Sequence, residues 1–94
     1  MNRDDCLHNA EELINGPRAA YYGDPWRMHQ RVADLWSDYL DLKDGFRFSV
    51  KDVVCMMMLL KIARLRHAVS HDSFIDICGY AALGAEMTED QTDV

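Results

Sequence analysis

Eight consecutive apolar residues, Val53 to Leu60, limit the folds open to this chain more than any other stretch. Ser49 followed by Asp52 resembles a capping box, with aspartate where glutamate or glutamine is usual. The pattern predicts a helix over 50–67, apolar on every side between Val53 and Leu60, which marks a helix surrounded by protein. Either it is the centre of a bundle, or one side of it packs against a second copy of the chain. The run is far short of the roughly 18 residues that suggest a membrane span. Met56, Met57 and Met58 read as adaptable core filling, as do Cys55 and Cys78 within their apolar runs. With Cys6 the cysteines number three, an odd set without metal-ligand spacing.

Three further helices are predicted around this one. Cys6, Leu7, Ala10, Leu13 and Ile14 form an amphipathic stripe over 3–15, and Gly16-Pro17 stops it. Residues 17 to 24 read as a turn segment that ends in Asp24-Pro25, a strong helix start. The next helix is predicted over 25–42, with Met28, Val32, Leu35, Trp36, Tyr39 and Leu40 inward and Ser37 among the outward residues. The last runs from a Ser70 cap to about Glu86 or Met87, with a wide apolar face that includes Phe74, Ile75, Ala81 and Ala82. Gly79 and Gly84 inside it cost about 1 kcal/mol each against alanine, which is tolerated where another chain segment approaches closely. The expected architecture is all-α: a four-helix bundle-like single domain over 1–87. Residues 88–94 are expected to be an acidic disordered tail. At 94 residues the core is small, and an oligomer is expected to bury more surface.

Charge narrows the partners. The formal net charge is −6, and Glu86, Glu89, Asp90 and Asp93 supply four of the negatives, so the rest of the chain carries only −2. Duplex nucleic acid is disfavoured, because phosphate contacts need a basic surface. A small anionic ligand is compatible with this balance, since a few local arginines suffice to hold one. The start, Met-Asn-Arg-Asp-Asp, has no apolar signal core. A cytoplasmic protein without membrane contact is expected.

The chemistry-bearing residues gather at the junction of the last two helices. Lys61 and Arg64 are three apart and share one helix face. Asp72, Asp76 and Tyr80 are spaced four and four and share another. The structural reading pairs these cations with Asp72 and Asp76 and pins the hairpin. The functional reading adds His71, Ser73 and the first-turn amides of the last helix as an anion-facing surface. Arg18, Tyr22 and Trp26 complete the set, the aromatics being suited to stack on a base. A magnesium site would need several facing carboxylates. Asp72 and Asp76 have suitable spacing, but the helix before them offers Lys61 and Arg64, leaving only Glu11 or Glu12 as further ligands. No cofactor is expected, magnesium being required only if the chain is a hydrolase.

Two blocks carry a family resemblance. Arg18-Ala-Ala-Tyr-Tyr-Gly-Asp-Pro with Arg31-Val-Ala-Asp-Leu-Trp-Ser-Asp-Tyr-Leu is the first. Lys61-Ile-Ala-Arg-Leu with His71-Asp-Ser-Phe-Ile-Asp-Ile-Cys-Gly-Tyr-Ala-Ala-Leu-Gly-Ala-Glu is the second. Together they resemble a family of small phage and prophage proteins labelled only as a domain of unknown function, which implies a viral protein at work in bacterial cytoplasm. More distantly, the Asp-Ser-x-x-Asp-x-x-Gly-Tyr-Ala pattern that begins at Asp72 is similar to the last helix of MazG-like all-α nucleotide pyrophosphatases. Those enzymes carry a Glu-x-x-Glu pair where this chain has Lys61 and Arg64. Three functions are compatible with these residues. The first is a protein that binds a nucleotide-like anion without hydrolysis and sequesters a host nucleotide immune signal. The second is a MazG-like magnesium-dependent pyrophosphatase, and the third is a protein-interaction module.

Overall fold

The computed structural model describes residues 1–43 and 45–88, Tyr22 through its backbone alone. The acidic tail expected beyond Met87 therefore lies, except for Thr88, outside the described residues. All regular structure among the described residues is helical: α1 (Arg3–Asn15), α2 (Pro17–Tyr22), α3 (Pro25–Leu40), α4 (Val50–Arg64) and α5 (His71–Met87).

Local chemistry sets the helix ends. The Asn2 side chain accepts from the Asp5 amide at 2.8 Å, and the Asp5 carboxylate accepts from the Asn2 amide, which closes a capping box on α1. Asp24 caps α3 through the Trp26 amide at 3.0 Å, with Pro25 behind it. Ser49 and Asp52 form the expected reciprocal box on α4. Ser70 caps α5 by accepting from the Ser73 amide at 3.3 Å.

The predicted turn segment after Gly16 instead contains the short α2. Proline at its first position supplies a preset φ, and Gly16 serves as the joint with α1. A Cβ at Gly16 would sit 2.5 Å from the Glu12 carbonyl oxygen, so only glycine lets the chain turn this closely. Gly23 ends α2 at φ +82°, in the region that L side chains resist.

The helix expected at the centre is not the one found there. α5 takes that place, packing against α1 on one side and α4 on another, with a lighter contact to α3. Among the described residues α4 packs chiefly on α3 and α5, burying Val50, Val53 and Val54. Its other side is open: Leu59 is 61% exposed, Leu60 51% and Ile62 50%, and Cys55 and Met56 are exposed with them. The first alternative, a bundle centre enclosed within the chain, is thus corrected; the second, one side packed on another copy, is left open by a single chain. The described chain holds no further layer to cover it.

α3 is also rotated from its predicted setting. Leu35, Tyr39 and Leu40 are exposed, whereas Ala33 and Ser37 are buried. Small residues at i and i+4 let the backbones of α3 and α4 approach, which the larger apolar residues would prevent. The Ser37 hydroxyl resolves its own burial: Oγ donates to the Ala33 carbonyl at 2.7 Å and accepts from the Phe48 amide at 2.8 Å. That second bond ties the α3–α4 connector to the bundle. The apolar face expected on α5 is partly open as well, since Phe74, Ala81 and Ala82 are exposed while Ile75 and Gly79 are buried. Gly79 lies under Ile14 and Leu13 of α1, and Gly84 under Val54 of α4.

Candidate functional site

α1 and α3 pack on α5, and α2 packs on α1 beside them; two adjoining recesses form there. The first, about 540 Å³, has Leu13, Met28 and Leu83 among its apolar walls and Arg18, His29 and Tyr80 among its polar ones. The second, about 770 Å³, is lined by Asn9, Glu12 and Asp72 together with Gly16 and Pro17. Leu13, Arg18 and Asp76 belong to both. A guanidinium and a carboxylate therefore stand at the border between a largely apolar slot and a polar opening.

Each wall has a local cause. Gly16 and Pro17 start α2 at once after α1, which brings Arg18 into the lining of both recesses. The four-residue spacing of Asp72, Asp76 and Tyr80 lays all three along the groove side of α5. Gly79, between them, leaves room for Ile14: a Cβ there would meet Ile14 Cγ2 at 3.3 Å.

Lys61 reaches the site from behind. Its Nζ lies 3.0 Å from Asp76 Oδ2, with the two side chains only 16% and 29% exposed. In this shielded place the ammonium sets the position of the carboxylate that lines the groove. On the opposite wall, His29 Nδ1 lies 2.7 Å from the Pro25 carbonyl oxygen. A carbonyl can only accept, so Nδ1 carries the proton and Nε2 is the nitrogen left to the groove. The Tyr80 ring meets the imidazole edge to face, with centroids 6.3 Å apart at 78°.

Of the residues singled out in the sequence, Arg18, Asp72, Asp76 and Tyr80 line the recesses. Lys61 joins them through Asp76. Arg64 and His71 are exposed outside the lining, Trp26 is half-exposed beside it, and Ser73 is buried in the first turn of α5. The Tyr22 side chain lies outside the description. Residues not chosen from the sequence for the pocket include Met28, His29, Gly79 and Leu83. The His29 signal was present, one turn after the Pro25 start of α3, but nothing in the spacing shows which way that ring turns.

Glu12, Asp72 and Asp76 share the polar recess, yet no group of three or more His, Cys, Asp or Glu side chains among the described residues is placed to hold a metal ion. Glu12 instead lies against His8, with Nε2 to Oε1 at 3.3 Å. No helix among the described residues is long and apolar enough to cross a membrane.

Comparison with known proteins supplies the wider setting. The chain is 46% identical over 82 residues to the Gene 55 protein of Mycobacterium phage L5, covering 86% of this chain and 51% of that protein. It is 35% identical over 91 residues to the Gene 55 protein of Mycobacterium phage D29, covering 96% of this chain and 58% of that one. The chain thus spans a little over half the length of these relatives. No solved structure matches it significantly, and neither relative bears on the likeness to MazG-like enzymes. Matched over residues 5–88, the chain belongs to the family described as "Domain of unknown function (DUF6378)", the small phage-protein family that its two sequence blocks resemble.

Proposed function

We propose that this phage-family protein binds a small nucleotide-like anion in the groove beside α5 and holds it without hydrolysis, so sequestering a host nucleotide signal. One observation carries the reading: Arg18 and Asp76 line both recesses. A ligand lying across the border meets a guanidinium suited to phosphate and a carboxylate suited to a sugar hydroxyl or base amine. Its ring would lie in the slot walled by Met28, Leu83, Tyr80 and His29, an apolar concavity with a few convergent polar groups. Lys61 acts through Asp76, and Asp72 contributes acceptors at the polar end. Arg64 and His71 would meet only the part of a ligand that projects from the opening.

The shared recess of Glu12, Asp72 and Asp76 favours one second reading, a magnesium-dependent nucleotide pyrophosphohydrolase. Carboxylates from facing helices are the oxygen donors that magnesium takes. As they stand, Asp76 is engaged by Lys61 and Glu12 lies against His8, which supports binding over cleavage.

Thermal-shift measurements with linear nucleotides, cyclic nucleotides and ADP-ribose-type compounds test the proposal. Stabilisation by at least one class, with the ligand recovered intact after incubation with magnesium, is the expected result. Magnesium-dependent pyrophosphate release would replace it with the second reading. No shift with any compound would leave the groove without a nucleotide role and favour an interaction module.

A further inference from the structure

The open side of α4 has an ordered pattern. Asp52, Cys55, Leu59, Ile62 and Arg66 follow one another at spacings of three and four, with Met56 and Ala63 beside them. This is the repeat of a helix–helix seam. Between Asp52 and Arg66 the seam carries no charge, and Cys55, Met56, Leu59, Ile62 and Ala63 are all exposed. Its ends carry opposite signs, an acid in the first turn of α4 and a base just after its last.

We infer that this face packs against the same face of a second copy, antiparallel, with a two-fold axis passing beside Leu59. A two-fold operation maps each residue onto its counterpart equally far beyond Leu59. Leu59 then meets Leu59, Met56 meets Ile62, Cys55 meets Ala63, and Asp52 meets Arg66 at both ends. An isologous interface demands this self-complementarity. Apolar surface meets apolar surface, and each charged end meets its opposite. The Asp52 carboxylate accepts from the Ser49 amide at 2.9 Å, and its remaining acceptor sites are enough for a guanidinium. The monomer has reason to pair, since among the described residues the buried apolar ones are Ala10, Ala33, Val50, Val53, Val54 and Ile75, a thin core. None of the seam residues lines either recess, so this inference stands apart from the ligand proposal.

Sedimentation equilibrium and cross-linking test it. The chain is expected to be dimeric at micromolar concentration, and Leu59→Arg to weaken the dimer at least tenfold while helical circular dichroism is retained. Arg66→Glu should weaken it less, and Asp52→Lys combined with Arg66→Glu should recover part of the loss. Register is read by Leu59→Cys in a Cys55→Ser background, which should form an intermolecular disulfide under mild oxidation. The wild-type Cys55 pair should not, because four residues on either side of the axis separate these thiols by about 12 Å along the helices, beyond disulfide reach. A monomer at all concentrations, a dimer unaffected by Leu59→Arg, or no Leu59→Cys cross-link would each overturn the inference. A monomer would assign the face to a different protein chain.

Discussion

Lys61 of α4 and Asp76 of α5 form an ion pair at 3.0 Å within a partly shielded junction. The other lysine or arginine pair at hydrogen-bond distance among the described residues, Arg47–Asp38 at 2.8 Å, has side chains 53% and 67% exposed. Water screens the second pair far more than the first. The two should therefore differ in energy although their lengths are similar.

Lys61→Met is expected to lower unfolding free energy by about 1–2 kcal/mol, between the values typical of exposed and of buried pairs. Arg47→Met should cost less than about 1 kcal/mol. Urea unfolding at one fixed protein concentration measures both. Adding Asp76→Asn to Lys61→Met should recover part of the loss, because the uncompensated carboxylate is removed.

Arg18 is exposed, so Arg18→Ala should leave the melting temperature of the free protein nearly unchanged. If it grips a phosphate, the same change should weaken nucleotide binding by roughly tenfold to a hundredfold, the range of a charge-assisted hydrogen bond. Titration calorimetry with the nucleotide that gives the largest thermal shift provides the measurement. Arg18→Lys should recover only part of the affinity, since a point charge replaces a planar fork.

Gly84→Ala should be destabilising even though alanine gains about 1 kcal/mol in helix propensity. The new methyl would sit 3.0 Å from Val54 Cγ1. Val54 is 3% exposed, and its branched side chain has little rotamer freedom in a helix. We expect a net loss of about 1 kcal/mol, from an overpacking cost larger than the propensity gain. Combining it with Val54→Ala should make the Gly84 change favourable, which a thermal melt of the two backgrounds would show.

Ser37→Ala should cost about 1–2 kcal/mol, because the Phe48 amide loses its acceptor in a partly buried place. Amide exchange at Phe48 should accelerate, whereas exchange in α1 should not change.

The helix ends are the most legible part of the sequence. Asp24-Pro25, Ser49 with Asp52, and Ser70 each act on amides two or three residues away, so their effect is present in the local sequence. The short α2 is harder to see, since six residues make fewer than two turns and cannot repeat an apolar stripe. In the groove, the spacing of Asp72, Asp76 and Tyr80 placed them on one side of α5. It could not bring His29 or Met28 opposite them, because that depends on how α3 is rotated. The rotation in turn buries Ala33 and Ser37, two small residues whose place in the core does not register in a reading that ranks positions by hydrophobicity.

The sequence by itself determined an all-α chain, its capped helix starts, and the cation and carboxylates near one junction. Backbone hydrogen bonding within a helix and capping at its ends act over at most four residues, a range that local order contains. Only the tertiary structure decided that α5 is the central helix, that one side of α4 stays open, and that Arg18 and Asp76 line the same recesses. Those outcomes come from packing between segments tens of residues apart, where the volume of a single side chain settles which faces can meet.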